Sequence, residues 1–422
     1  MRKYWLIGLL LLGFIGAKAS YILIPMDESQ SNHLKAYGIA YWVLQSDVEV
    51  DWLLNYRGGS FMVRYNQKFE NELIIRGVSY QVISDAQSNS IVAEIGSPSS
   101  NTDIMKLEKY PKIAVYSPKS KQPWDDAVTL ALTYAEIPYD VIFDDEIMYG
   151  ELPKYDWLHL HHEDFTGQYG KFYSMYRNFP WYIRQQREYE ASAQKHGLEK
   201  VSQLKLQVAK NIRNFVSGGG FLFAMCSATD SYDIALAAEG VDIVESMFDG
   251  DRADAKAQGK LDYSKTFAFK DFILEMNPIT YEYSNIDNGP PKGRRGGLRE
   301  NNDFFTLFEF SAKWDPIPTM LTQNHTRVIK GFMGQTTAYR KQLVKADVVV
   351  MGETKSINEV KYLHGIFGKG FWTFYGGHDP EDYQHLVEEE PTDLNLYPNS
   401  AGYRLILNNI LFPAAKKKKQ KT

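Results

Sequence analysis

From Lys112 onward, short apolar runs alternate with amphipathic stretches, which predicts a parallel sheet covered by helices on both faces. Lys112–Tyr116, Tyr139–Ile142, Tyr155–His161 and Phe221–Met225 are mostly apolar segments of strand length. Segments of that kind mark strands buried on both faces. Trp124–Ala135 and Val201–Ser217 repeat apolar residues at helical spacing. A strand at Asp347–Met351 then leads into a hairpin, Val360–Ile366 and Phe371–Tyr375, around the turn Phe367-Gly368-Lys369-Gly370. Amphipathic Ala401–Leu411 closes the pattern as a helix.

The earlier part of the chain has a different rhythm. Tyr21–Met26, Val50–Leu54, Ser60–Arg64 and Tyr80–Ser84 read as strands, and Ser31–Gln45 and Phe69–Arg76 as helices. Residues 20–103 therefore form a small α/β unit, with 97–103 as a polar linker. Two stretches interrupt the later alternation. Residues 165–200 are rich in aromatic and charged side chains, and 250–345 contain the glycine- and proline-rich loop Asn288–Gly297. The expected fold class is α/β: a three-layer, mostly parallel sheet over 110–412, an N-terminal α/β extension, and a basic tail at 413–422.

Composition adds three constraints. Hydrophobic residues make up 44% of the chain, enough for a substantial core. Arg2 and Lys3, the apolar run Tyr4–Ala17 and the small-x-small ending Ala17-Lys18-Ala19 have the grammar of a cleavable signal peptide over 1–19. The run is shorter than the roughly 20 apolar residues of a membrane span. The expected protein is thus periplasmic or secreted, with no stable membrane span after cleavage. The formal net charge is −5, and losing Arg2, Lys3 and Lys18 with the leader makes it −8. That balance argues against a nucleic-acid partner, and Lys416–Lys419 reads as a solvated tail.

Three constellations could carry chemistry. Cys226, the only cysteine, follows the apolar strand Phe221–Met225 and precedes a helix. That is the layout of a nucleophile elbow, where a helix N-terminus favours a thiolate. The competing reading is a small buried hydrophobe. His378 follows the strand Phe371–Tyr375 and two glycines, with Asp379 and Glu381 beside it to orient the ring, or else the segment is a polar turn. His159-Leu160-His161-His162-Glu163-Asp164 gathers three of the nine histidines. Strand alternation puts His159 and His161 on one face and His162 on the other. Metal binding is the sharper reading of this run, but it needs His378 or His385 to close the site.

The ending Gly368-Lys369-Gly370-Phe371-Trp372-Thr373-Phe374-Tyr375-Gly376-Gly377-His378-Asp379-Pro380-Glu381 resembles the last strand and turn of trehalose-utilization (ThuA-like) proteins. The segment Phe215–Phe221 is similar to that family's approach to its central strand. The family belongs to the class I glutamine amidotransferase-like group, and the resemblance spans about 110–412. Exported chains of this appearance are sometimes labelled asparagine synthetase B, a label for which the sequence supplies no N-terminal cysteine nucleophile. The resemblance implies a flavodoxin-like sheet, a nucleophile at Cys226 and a base at His378 oriented by Glu381 or Asp379. Ala224 and Ala228 stand where the amidotransferase elbow has glycines, and His378-x-x-Glu381 replaces its His-x-Glu spacing.

These readings converge on an exported cysteine-dependent hydrolase of an amide, ester or sugar-linked substrate. Its catalytic residues would be Cys226, His378, Glu381 and Asp379, with His161, His162, Glu163 and Asp164 lining the substrate pocket and no cofactor. The alternatives are a non-catalytic carbohydrate-binding or scaffold protein, and a metal-assisted hydrolase. The export reading has a direct check: the secreted protein should begin at Ser20 on N-terminal sequencing, and retention of Met1–Ala19 would make the segment an anchor.

Overall fold

The structure is a computed structural model that describes residues 20–118, 126–289, 301–315, 326–387 and 389–415. The expected leader, most of the basic tail, and the loop from Pro290 onward lie outside the described residues.

The first five strands make their own sheet: β1 (Tyr21–Ile24), β2 (Val50–Leu54), β3 (Ser60–Arg64), β4 (Gln81–Ile83) and β5 (Asp103–Leu107). Their order is β4-β1-β3-β2-β5, and every neighbouring pair is antiparallel. The linker expected at 97–103 is a turn that brings β5 back onto β2, so the small unit extends to Leu107.

The second sheet has ten strands. They are β6 (Ile113–Tyr116), β7 (Asp140–Ile142), β8 (Trp157–Leu160), β9 (Phe221–Met225), β10 (Phe304–Leu307), β11 (Val328–Lys330), β12 (Tyr339–Arg340), β13 (Val349–Thr354), β14 (Glu359–Phe367) and β15 (Gly370–Tyr375). The order is β11-β10-β13-β14-β15-β9-β8-β6-β7, with β12 paired to β14. The run β7-β6-β8-β9-β15 is parallel, and beyond β15 the neighbours become antiparallel. The stretch 250–345, which interrupts the sequence pattern, supplies β10, β11 and β12.

Side-chain alternation explains the layers. On one face of the large sheet, Val115, Trp157, Phe223 and Met225 pack against the helices His33–Gln45, Ala127–Tyr134 and Ala401–Leu411. Helices His33–Gln45 and Ala401–Leu411 also meet the small sheet, with its Ile22, Ile24, Trp52 and Phe61, on their other side. On the opposite face, Tyr116, Leu158, Leu160 and Leu222 pack against the helices Val201–Gly218 and Ser227–Ala237. The outer face of the small sheet, with Leu23, Leu53 and Met62, is closed by the helix Asp85–Ile95. The expected three layers are present, and the N-terminal unit adds a second sheet that shares one helix layer with the first.

Two features lock that shared layer. Gly38 lets helix His33–Gln45 touch the end of helix Ala127–Tyr134, because a Cβ there would lie 1.8 Å from the carbonyl oxygen of Ala135. Arg404 is fully buried on helix Ala401–Leu411. Its guanidinium donates to the Tyr37 hydroxyl at 3.0 Å, to the Met26 carbonyl at 3.0 Å and to the Gly58 carbonyl. Truncation would remove three hydrogen bonds, two of them fully buried, and leave a cavity. Arg404→Ala should therefore cost about 3–5 kcal/mol in urea unfolding. A loss of under about 1 kcal/mol would show that the small sheet is held by packing alone.

Candidate functional site

Three neighbouring parallel strands, β8, β9 and β15, end at the same level. Leu160 pairs with Ala224, and Tyr375 with Met225. Ligand sites in such sheets lie beyond the carboxyl ends of the strands. The residues that come next are His161, Cys226 and Gly376, with His162 and His378 one and two positions further on.

Cys226 turns the chain from β9 into the helix Ser227–Ala237 with φ 52° and ψ −139°. A residue with a Cβ pays about 1–3 kcal/mol for such a conformation and keeps it only where the surroundings enforce it. Here the enforcement is visible in the hydrogen bonds. The Cys226 N–H donates to Tyr375 O at 3.1 Å, and the Ala228 N–H donates to His161 O at 3.0 Å. The Cys226 carbonyl accepts from the Thr229 N–H at 3.1 Å and from its hydroxyl at 2.7 Å. Ala224 and Ala228, which depart from the amidotransferase pattern, sit in the core on the helix side of the sheet. They do not prevent the strained turn.

The thiol is 0% exposed. The Gln335 N–H donates to Sγ at 3.2 Å. Gly334 lies against the sulfur: a Cβ there would be 2.9 Å from Sγ and 3.1 Å from the backbone nitrogen of His378. The covering segment 332–337 is anchored from below. The Thr336 hydroxyl donates to Asp230 at 2.9 Å, and Asp287 accepts from the Thr337 and Ala338 N–H groups at 3.0 and 3.1 Å. The Gln335 amide donates to Gly170 O at 2.8 Å, which joins this cover to the insertion that begins at residue 165.

Beside the elbow lies a buried histidine cluster. Ring centroids are 4.3 Å apart for His161 and His378, 4.8 Å for His161 and His162, and 5.7 Å for His162 and His378. His161 keeps the face of His159, with ring centroids 5.7 Å apart, but β8 ends at Leu160 and the alternation fails at His162. His161 and His162 turn toward each other instead of to opposite faces, as strand spacing predicts. His159 remains on the strand face, stacked on Trp157. His385 stacks on His378 at 5.2 Å, and its Nδ1 lies 2.8 Å from Asp382.

Asp126 completes the cluster and was not among the residues singled out from the sequence. One carboxylate oxygen caps the helix Ala127–Tyr134 through the Val128 and Thr129 N–H groups, at 2.7 and 3.0 Å. The other lies 3.1 Å from Nε2 of His159 and 3.4 Å from Nδ1 of His161. Burial opposes its charge, but the two imidazoles outweigh burial and hold the carboxyl well below its ordinary range. Burial, helped by neighbouring His161, pushes His162 down to about 3. Burial and the other rings hold His378 well below its usual value. Both rings are therefore neutral near neutral pH.

The remaining carboxylates face elsewhere. Asp379 accepts from the N–H groups of Glu381 and Asp382, the Thr392 hydroxyl and the Tyr403 hydroxyl. Glu381 accepts from the Ser400 hydroxyl. Their bonds brace the segment after His378 and do not orient its ring, as the sequence pattern suggested. Asp164 accepts from the Thr166 N–H and hydroxyl and from the Gly170 N–H, which shapes the insertion. Burial pushes Glu163 up to about 8 even though the Lys205 ammonium opposes that shift. Glu163 and His162 both line a cavity of about 10 Å³ with Tyr169, Phe172 and Tyr189.

No family model matches the chain, and no curated protein matches it. Among solved structures it is similar to the cytoplasmic protein STM3548 from Salmonella typhimurium, at 11% identity and a TM-score of 0.34, over 72% of this chain and 100% of that one. It is similar to the cytoplasmic protein STM1381 from Salmonella typhimurium LT2, at 10% identity and a TM-score of 0.35, with the same coverage. It is also similar to Gan42B, a GH42 β-galactosidase from G. stearothermophilus, at 12% identity and a TM-score of 0.29, over 64% of this chain. The chain spans 28% of that enzyme's length. Likenesses at this level assign neither family nor activity. Among the described residues, no helix is long and apolar enough to cross a membrane.

The cover over Cys226 can be tested at Gly334. In Gly334→Ala the new methyl would collide with Sγ and displace the loop. Alkylation of Cys226 should accelerate about tenfold or more, because access then no longer limits the thiolate. An unchanged rate in the folded variant would mean that another segment limits access.

Proposed function

We propose that the chain is an exported hydrolase built on a ThuA-like, amidotransferase-like sheet, with Cys226 as nucleophile toward an amide, ester or sugar-linked substrate. The observation that carries this reading is the positive φ of Cys226 at a strand-to-helix turn. A buried, inert cysteine needs no such conformation, whereas a nucleophile presented at the carboxyl edge does. The strand order supports the scaffold. Counting only the parallel strands by chain position, β7-β6-β8-β9-β15 reads 2-1-3-4-5, the flavodoxin-like order.

On this reading the thiolate is favoured by the Gln335 N–H and by the N-terminus of the helix Ser227–Ala237. On an amide or ester, it attacks the acyl carbon, the amine or alcohol leaves with a proton, and water then hydrolyses the thioester to a carboxylic acid and free thiol. The thiol's proton passes to neutral His378, whose burial disfavours the charged ring, so the transfer relies on the negative charges of the thiolate and of Asp126 to hold the imidazolium. Asp126, held ionised against His161, balances the charge that results. His161 and His162 line the site. Glu163 closes the small cavity beside them, and Asp164 holds the loop that covers it.

The pairing of Cys226 with the cluster makes a clear prediction. Replacing His378 with Ala should slow alkylation of Cys226 about tenfold near neutral pH. The rates should converge above about pH 8.5, where a thiol ionises without help. Equal rates near neutral pH in two folded proteins would remove His378 from the mechanism.

A further inference from the structure

We infer that His161, His162 and His378 form a binding site for a divalent transition-metal ion of the zinc class. One ligand nitrogen from each ring lies within 4.8 Å of the other two, and all three residues are buried. In a tetrahedral zinc site, with bonds of 2.0–2.1 Å, such nitrogens sit about 3.3 Å apart. The rings therefore need to close by no more than about 1.5 Å. The two strand ends that carry them are fixed to each other through the elbow, so the convergence is built into the sheet.

A second observation points the same way. Asp126 faces Nδ1 of His161 as a 3.4 Å ion-pair contact, and neither ring nitrogen of His161 makes a hydrogen bond among the described residues, so Nε2 is open to an ion. A carboxylate on one ring nitrogen, leaving the other to the ion, is the usual outer partner of a ligating histidine. His385, held by Asp382 at 2.8 Å, backs the ring of His378 from outside. Asp126 itself is the less suited ligand because it already caps a helix and serves His159. The donor set decides the class of ion. Three imidazole nitrogens suit zinc and its neighbours in the transition series, whereas magnesium and calcium take oxygen ligands. Three protein ligands also leave a fourth position open for water or a substrate atom.

Whether the ion binds does not depend on the chemistry of Cys226. What it does there rests on the hydrolase reading. With the ion in place His378 is a ligand and no longer the proton acceptor; the ion's charge favours the thiolate, and the thiol's proton leaves with the departing amine or alcohol. The open position can hold the water that hydrolyses the thioester.

The test uses the full mature chain, expressed without a histidine tag, stripped with a chelator and titrated with zinc chloride. Bound metal is counted by elemental analysis, and cobalt(II) is substituted to report coordination by its visible spectrum. One zinc per chain and a four-coordinate cobalt spectrum are expected. His161→Gln and His378→Gln, which keep the side-chain volume, should each weaken zinc binding about a hundredfold, and Asp126→Asn about tenfold. Cys226→Ser should bind as the parent does. Absence of stoichiometric zinc in the parent, or equal binding in folded His378→Gln, would overturn the site and leave an adventitious ion only. Loss of zinc in Cys226→Ser would overturn the all-nitrogen donor set. If zinc fails to bind while His378 still governs Cys226 labelling, the metal inference falls and the hydrolase reading stands. If zinc binds while His378 has no effect on labelling, the reverse holds.

Discussion

The site depends on one constraint, that β8, β9 and β15 end together. The Cys226 N–H is spent on Tyr375 O, and the Ala228 N–H on His161 O. These two bonds tie the elbow to the strand on either side of it. They hold a conformation that the cysteine would leave if free, and they fix where the histidines emerge. A register slip of one residue would turn the inward set of side chains outward. Leu222 and Ala224 are packed on one side of β9 and Phe223 and Met225 on the other, so a slip would set large side chains where small ones fit. The local strain at Cys226 is therefore sustained by burial over the whole sheet.

The N-terminal sheet reaches the site through the helix layer it shares. Its strands pack on the helices His33–Gln45 and Ala401–Leu411, and the close contact at Gly38 sets the end of helix Ala127–Tyr134. The other end of that helix carries Asp126. A buried carboxylate is tolerated only with several partners, and Asp126 has two backbone donors and two imidazoles. Similar reasoning applies to the pairs Lys205–Asp144 and Lys361–Asp303, each with both side chains nearly inaccessible. Such pairs add little net stability, and removing one partner is severely destabilising. The second pair fixes β10 to β14, while the Tyr383 hydroxyl also donates to Asp303. The antiparallel half of the sheet thereby holds the segment that follows His378.

Much of this was legible in the chain. Parallel strands buried on both faces leave unbroken apolar runs, so β6, β8 and β9 were placed within a residue or two, and the residues after them were the right ones to inspect. Cys226, His162 and His378 do emerge from neighbouring strand ends. The strands β10 and β11 are hard to read because they are short, lie at or next to the edge, and fall in a long stretch without strand–helix alternation. Strand spacing parts His162 from His161, but the pleat stops at Leu160 and the two rings meet. Asp126 was missed because its signal is local, an acidic residue at a helix start. Only the fold shows that this start lies beneath the end of β8. Asp379 and Glu381 looked like partners of His378 because they are adjacent in sequence, yet their hydrogen bonds go to the segment that supports it.

The two stretches that broke the strand–helix alternation are the ones that close the site. Residues 165–171 and 332–337 meet at the bond from Gln335 to Gly170 and cover both the sulfur and the rings. The strands alone would supply an elbow and three imidazoles open to water. A thiolate or a coordinated ion in water is well solvated and unselective, whereas the same charges behind a cover that excludes water interact strongly with whatever remains inside. The cavity left beside His162, about 10 Å³, offers roughly the room one water needs. On the hydrolase reading a substrate has to displace the cover, and Asp230, Asp287 and Asp164, which anchor it, would govern entry without touching a reacting atom. On that reading the strand ends carry the chemistry, and the insertions laid over them select what enters.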